Sequence, residues 1–454
     1  MENQNPDLRN HFSKSKRCVC VLASLATLST GTILAWPSQI TSKLLDNGLG
    51  FPITYNQLGW IYSCSPLGAA LLSLLIGPIS DRLGRKRSML LLVIPLELGW
   101  VLIILSKNVW MLVFGRILTG MVGGAFCVTA SLYLGEIARK EIRGLLGGLT
   151  QFSIACGILT ANILGKFMTV RGLSIICALI PISFLISFAA MPESPLYLQM
   201  TGRSLESKLS LRKLLGKKDV EEEHGEIKKT LHSEANNYSY RDVLSKKSVK
   251  KALIIGIGLA VVKIFTGVDA ITSYLGHILD NTDTSIGPEN SAILFAAFQV
   301  CSAIFQILIV DKLGRRLLLI VSQLFISLFL LTVAVCLHLN SQESSKALDY
   351  IPVMALCLYN VGFSIGIGPI GWLLPAEIFE EKIKGFAMSL CTFLIWFLAF
   401  GNVKLFEVVE GNWGVSVPFY VYGSVSFVSL GFIFFLVPET KNKSFSEIEY
   451  ELSQ

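Results

Sequence analysis

Two short charged clusters recur in an otherwise oily chain: "DRLGRK" from Asp81 and "DKLGRR" from Asp311. Each is followed by a second and a third polar motif in the same order. "GEIARKEIRG" from Gly135 is echoed by "AEIFEEKIKG" from Ala376, and "PESP" from Pro192 by "PET" from Pro438. Acids beside bases, repeated at helix ends, do electrostatic work: they pair, and a cluster of pairs at a partly buried interface biases a two-state equilibrium. Asp81, Arg85, Glu136, Arg143 and Glu193 are the candidates in the first half. Asp311, Arg315, Glu377, Lys384 and Glu439 mirror them in the second. Anchoring of basic residues to lipid head groups accounts for some of these positions, but not for acids recurring at matched places. A second kind of chemistry sits deep inside apolar runs. Lys263 and Asp269, in "VVKIFTGVDAITSY", are ionisable residues where a membrane makes them expensive, and such residues mark a functional site by default. They lie about 120° apart around an ideal helix, so pairing requires the helix to unwind near Gly267. The rival reading is a neutral Asp bonded locally and a Lys reaching a neighbouring carbonyl. Glu97, mid-span in "PLELGW", reads as a helix–helix hydrogen bond.

The elements that must hold these residues are membrane helices. The 454 residues are 52% hydrophobic and only 16% charged, with a mean hydropathy of +0.60. Apolar runs repeatedly reach the ~20 residues that a helix needs to cross a bilayer, and they are continuous rather than alternating. Twelve spans are expected: 18–40, 57–79, 88–106, 109–133, 144–165, 172–191, 251–279, 291–310, 317–338, 350–374, 385–405 and 417–437. No removable signal peptide is read at the start. Lys and Arg gather at the N-terminus and after spans two, four, eight, ten and twelve, which places both termini in the cytoplasm. The net charge of +7 follows from that sorting and is no nucleic-acid footprint. Asn237 and Asn442 head glycosylation patterns on the same side and are expected to stay unmodified.

Six helices, a linker and six more make a parallel repeat. The expected division is a cytoplasmic N-terminus (1–17), a six-helix bundle (18–191), a charged, partly helical linker (192–250), a second bundle (251–437) and a cytoplasmic tail (438–454). The fold class is therefore an all-α integral membrane protein with twelve transmembrane helices. The ten cysteines show no metal or disulfide spacing and read as small apolar fillers.

The motifs together resemble the sugar-porter branch of the major facilitator superfamily. "DRLGRK", "DKLGRR", "GRILTG" at 115–120, "MPESP", "GPIGWLLPAEIF" at 368–379 and "VPETKNKSF" at 437–445 carry the resemblance, which spans about residues 18 to 450. Within the branch, "SKNVWMLVFGRILTGMVGGAFCVTASLYLGEIA" looks most like the insect facilitated trehalose transporters. The resemblance implies a hexose or disaccharide moving through a central cavity between two rocking halves. It also implies sugar-contacting amides at Gln151, Asn162 and Gln299 and an aromatic at Trp396. In the tenth span, Gly368, Pro369 and Gly371 are expected to break the helix just before Trp372, whose indole would cover a sugar ring. Where relatives carry two glutamines and an asparagine, this chain has Lys263, Ile264 and Asp269, so two amide contacts are gone. Arg116, counted with the gating charges, matches a family arginine that, in proton-coupled relatives, faces an acid in the first span. "ASLATLSTGTILAWPSQI" holds no acid, which favours uniport.

The leading expectation is a facilitative sugar carrier. Its alternatives are a proton-coupled symporter of a sugar, polyol or other polar solute using Asp269 or Glu97, and a non-transporting nutrient sensor, for which the short tail is a poor match. No nucleotide-binding loop, nucleophile elbow or metal cluster is present, so no enzyme, cofactor or metal is expected. The expected partners are the sugar and the lipid bilayer of the plasma membrane, with no nucleic acid and no obligate protein.

Overall fold

In the computed structural model every regular element of the described residues is a helix. The structure describes residues 14–46, 48–137, 143–216, 219–234, 246–280, 287–340, 346–441, 443 and 445–453. Asn237 and Asn442 lie outside them. The helices, in order, are α1 (Lys14–Leu45), α2 (Tyr55–Leu83), α3 (Arg85–Ile104), α4 (Val109–Ile137), α5 (Arg143–Phe167), α6 (Val170–Ala189), α7 (Pro195–Met200), α8 (Ser204–Leu215) and α9 (Glu221–Glu234). There follow α10 (Lys247–Phe265), α11 (Val268–Asp280), α12 (Pro288–Leu313), α13 (Arg315–Asn340), α14 (Lys346–Ile365), α15 (Ile367–Ile378), α16 (Glu381–Trp413), α17 (Ser416–Leu436) and α18 (Phe445–Ser453).

Eleven spans among the described residues are long and apolar enough to cross a bilayer. The twelfth helix of the fold, α1, is rich in hydroxyls. Those hydroxyls are buried and bonded to backbone: Thr27 donates to Ser24 O at 2.8 Å, Thr32 to Ser29 O at 2.8 Å, and Thr30 to Gly123 O of α4 at 3.1 Å. Small hydroxylated residues let membrane helices approach closely where apolar burial alone gives no driving force. α1 accordingly packs against α4, α5, α6 and α11. Large apolar side chains on outer faces, such as Leu91, Ile94 and Leu98 of α3 and Phe434 and Phe435 of α17, point outward, as lipid contact requires.

Two spans are interrupted. The seventh consists of α10 and α11, which meet at Thr266 and Gly267; Gly267 has φ 81°, a left-handed conformation that a side chain resists. The tenth consists of α14 and α15, which meet at Gly366. The expected break at Gly368–Gly371 is therefore displaced. Gly368, Pro369 and Gly371 lie within the first turns of α15, where a proline is tolerated because the first amides of a helix have no carbonyl partner. Helices α2, α4, α1, α5, α3 and α6 pack together, as do α13, α17, α14, α12, α10 and α16. The two sets touch along α2–α16, α5–α12 and α1–α11. The tail helix α18, unforeseen in the sequence, buries Ile448 and Leu452 against α10 and α15.

Candidate functional site

The breaks in the seventh and tenth spans face a cavity between the two sets of helices. Gln151, Lys263, Asp269, Gln299, Trp372 and Trp396 all line it, together with Leu34, Cys127, Thr272 and Ser273. Its open space is about 60 Å³, room for a few waters.

The break at Gly267 turns both charged residues of the seventh span to the same cavity. Lys263 is 7% exposed; its Nζ lies 4.2 Å from the centre of the Trp372 ring and donates to Gly368 O at 3.4 Å. A buried ammonium over an indole face is a favourable cation–π arrangement. Both spans' interruptions thus serve one contact, since Gly368 and Trp372 belong to α15. Asp269 is half-buried beyond the break, and the described ion pairs do not join it to Lys263. Trp396 Nε1 and Gln299 Oε1 are buried and have no protein partner, so the cavity offers one unused donor and one unused acceptor. Ammonium, indole N–H, carboxylate and amide oxygen around two indole faces combine hydrogen-bonding groups with apolar aromatic faces.

Three residues are placed differently. Asn162 is buried but does not line the cavity: its Oδ1 accepts from Gln39 Nε2 at 3.2 Å and its Nδ2 donates to Ile158 O at 3.0 Å. Gln39, on α1, had no signal beyond being a polar residue in a span. Arg116 is sealed within α1, α2 and α4, donating to Ile33 O at 2.9 Å and Ile61 O at 3.3 Å with Trp36 at 5.3 Å. It lies about 30 Å along α4 from Glu136, at the opposite end from the charged motifs. Glu97 is half-buried with Oε1 shielded and unbonded, in place of the expected interhelical bond, and it is not part of the cavity.

The repeated motifs assemble two matching networks at one end of the molecule. In the first, Gly84 (φ 102°) turns the chain from α2 into α3, and Glu193 closes over that turn. Its carboxylate accepts from the amides of Lys86 at 2.9 Å, Arg87 at 3.4 Å and Ser194 at 2.9 Å. Arg85 pairs with Glu136 at 2.7 Å and Asp81 at 2.8 Å, while Ser194 Oγ donates to Glu136. In the second, Gly314 (φ 87°) makes the turn from α12 to α13, and Glu439 accepts from Arg315 N at 2.9 Å and Arg316 N at 3.0 Å. Arg315 pairs with Glu377 at 3.0 Å, and Thr440 Oγ1 donates to Glu377 at 2.5 Å. A carboxylate on a helix N-terminus satisfies orphan amides and meets the positive end of the dipole. Partial burial pushes the Glu439 carboxyl up, but the amides of Lys441, Arg315, Arg316 and Thr440 outweigh it and hold it below the usual carboxylate range. Among the described residues, these contacts join helices of the same set. Lys384 lies at the start of α16, its amide bonded to Glu380 O at 2.9 Å. The side chains of Arg143 and Asp311 lie outside the described residues.

Sequence and structure comparisons converge. The family model for "Sugar (and other) transporter" matches residues 18–452. The chain is 32% identical over 456 residues to the facilitated trehalose transporter Tret1 of Apis mellifera ligustica, covering 97% of this chain and 91% of that protein. It is 30% identical over 442 residues to Tret1 of Polypedilum vanderplanki, covering 95% and 88%. Its fold matches the xylose transporter XylE from E. coli in a partially occluded inward open conformation, with TM-score 0.80, 21% identity and coverage of 95% and 100%. The chain belongs to the sugar transporter family of multi-pass membrane proteins.

Proposed function

We propose that this chain is a facilitative carrier that moves trehalose or a hexose across the plasma membrane by alternating access. The observation that carries the reading is the cavity at the junction of the two interrupted spans, where Lys263, Asp269, Gln151 and Gln299 surround the indoles of Trp372 and Trp396. Two six-helix units, 18–191 and 251–437, rock about that cavity, joined by the charged, partly helical linker 192–250. The basic residues at the motif-bearing end support a cytoplasmic side for both termini. The matched helix-end networks act as gating charges by fixing how the helices of each unit meet the inner mouth. Counterflow into proteoliposomes with labelled trehalose, glucose and other hexoses tests the reading: exchange of at least one is expected, and exchange of none overturns it.

A proton-coupled variant is favoured by one observation, an Asp269 carboxylate lining the cavity between the two sets of helices. Uptake driven by a pH gradient, and lost in Asp269→Asn, would establish coupling. Uptake indifferent to the gradient establishes uniport.

A further inference from the structure

The end of the bundle opposite the termini holds a polar cluster that the transport site does not use. Glu410, near the end of α16, is only 8% exposed by its side chain and is gripped through both oxygens. Tyr55 Oη, at the start of α2, donates to Oε2 at 2.8 Å; His277 Nε2, near the end of α11, lies 3.2 Å from Oε1. The rings of Tyr55 and His277 meet at 5.3 Å. Beside them Lys404 pairs with Glu407 at 2.6 Å, donates to Asn56 Oδ1 at 2.9 Å and lies 5.1 Å from the Trp60 ring centre. Glu407 packs into a notch at Gly59, where a Cβ would come within 1.5 Å of its Oε2. Tyr55, Asn56, Gly59 and Trp60 belong to α2, whereas Lys404, Glu407 and Glu410 belong to α16. These contacts must break for this end to open.

We infer that His277, Glu410 and Tyr55 form a protonation-dependent latch that holds the outer mouth shut when the outside is acidic. The proposal rests on the carrier reading above for its orientation and consequence. Lys404 is committed to Glu407, so His277 is the group that can supply Glu410 with a counter-charge. Among the described residues, the other charged groups on the elements packed against α11 at this end are Lys43 of α1, bonded to the last carbonyls of α5, and Glu289 of α12, whose carbonyl accepts from Gln39. Tyr274 of α11 itself packs on Phe406 and Tyr62. With His277 neutral, closing buries a carboxylate that has hydrogen bonds but no counter-charge from the imidazole, and hydration on opening relieves that penalty. With His277 protonated, the closed form holds a charge-assisted pair in a low dielectric and a cationic ring against Tyr55, both weakened once water enters. Acid therefore favours closure.

Spin labels on Asp46→Cys and Asn412→Cys, at the same end but on different sets of helices, read the opening without any solute. The background replaces the ten native cysteines. Between about pH 8 and about pH 5.5, the range in which imidazoles titrate, the closed-to-open ratio should rise about fivefold in the otherwise native protein. His277→Gln and Glu410→Gln should flatten the profile, with His277→Gln resting more open and Glu410→Gln more closed. If the cysteine-free background does not fold, hydrogen exchange of the α2 amides in the native chain and the two single variants gives the same reading. A wild-type ratio that ignores pH, or a His277→Gln profile that keeps the wild-type slope, overturns the latch. Because no sugar is present, failure of the carrier reading would appear only in counterflow, leaving this result intact.

Discussion

Replacing Glu136 by Gln tests whether the helix-end networks are structural units of each half. Gln keeps the volume and one acceptor for Arg85 but removes a negative charge whose side chain is only 10% exposed, 2.7 Å from an Arg that is 6% exposed. Breaking a buried pair from one side costs about 3–5 kcal/mol, because the remaining charge is left uncompensated. Asp81 stays 2.8 Å from Arg85 but is 59% exposed, so it offsets only part of the loss. The expected destabilisation is about 2–3 kcal/mol. The matched change Glu377→Gln acts on a pair at 3.0 Å with side chains 11% and 24% exposed, where solvent screens more, and about 1–2 kcal/mol is expected. Thermal denaturation of purified protein in detergent, read by the monodisperse fraction on size exclusion, ranks the two. Adding Arg85→Met to Glu136→Gln should recover part of the loss, since an apolar pair leaves no orphan charge. Equal effects of the two single changes, or a double variant as unstable as the sum of its parts, would refute the reasoning.

Lys263→Met keeps length but removes the cation over Trp372; losing a charge-assisted contact to solute should raise the half-saturation constant in counterflow about tenfold or more. Gly267→Ala puts a Cβ at φ 81° and 2.3 Å from the Tyr422 ring, so it should cost about 2 kcal/mol or more in thermal stability and abolish exchange. The Glu439 carboxyl is depressed in the folded chain, so its contribution is present above its ordinary value of 4.5 and is lost as pH falls through the lower folded value. The stability gap between the native chain and Glu439→Gln should therefore be constant near neutral pH and vanish in acid, as a thermal series would record.

The charged motifs, the helical class and the family were all legible in the sequence. Continuous apolar runs leave no other way to satisfy backbone in lipid, and Gly84 and Gly314 announce turns between charged ends wherever they occur. The chain's own order also placed Lys263 and Asp269 on either side of a flexible glycine. What the tertiary structure alone decided is which neighbour each polar group meets. Gln39 draws Asn162 away from the cavity, Gly366 rather than Gly368 breaks the tenth span, and Arg85 and Arg315 find their acids within their own helical sets. The Tyr55–Glu410–His277 cluster joins three helices far apart in the chain. Hydropathy and spacing are properties of one helix at a time, whereas these pairings depend on how twelve helices rotate and tilt to fill space against one another, which no single stretch of sequence encodes.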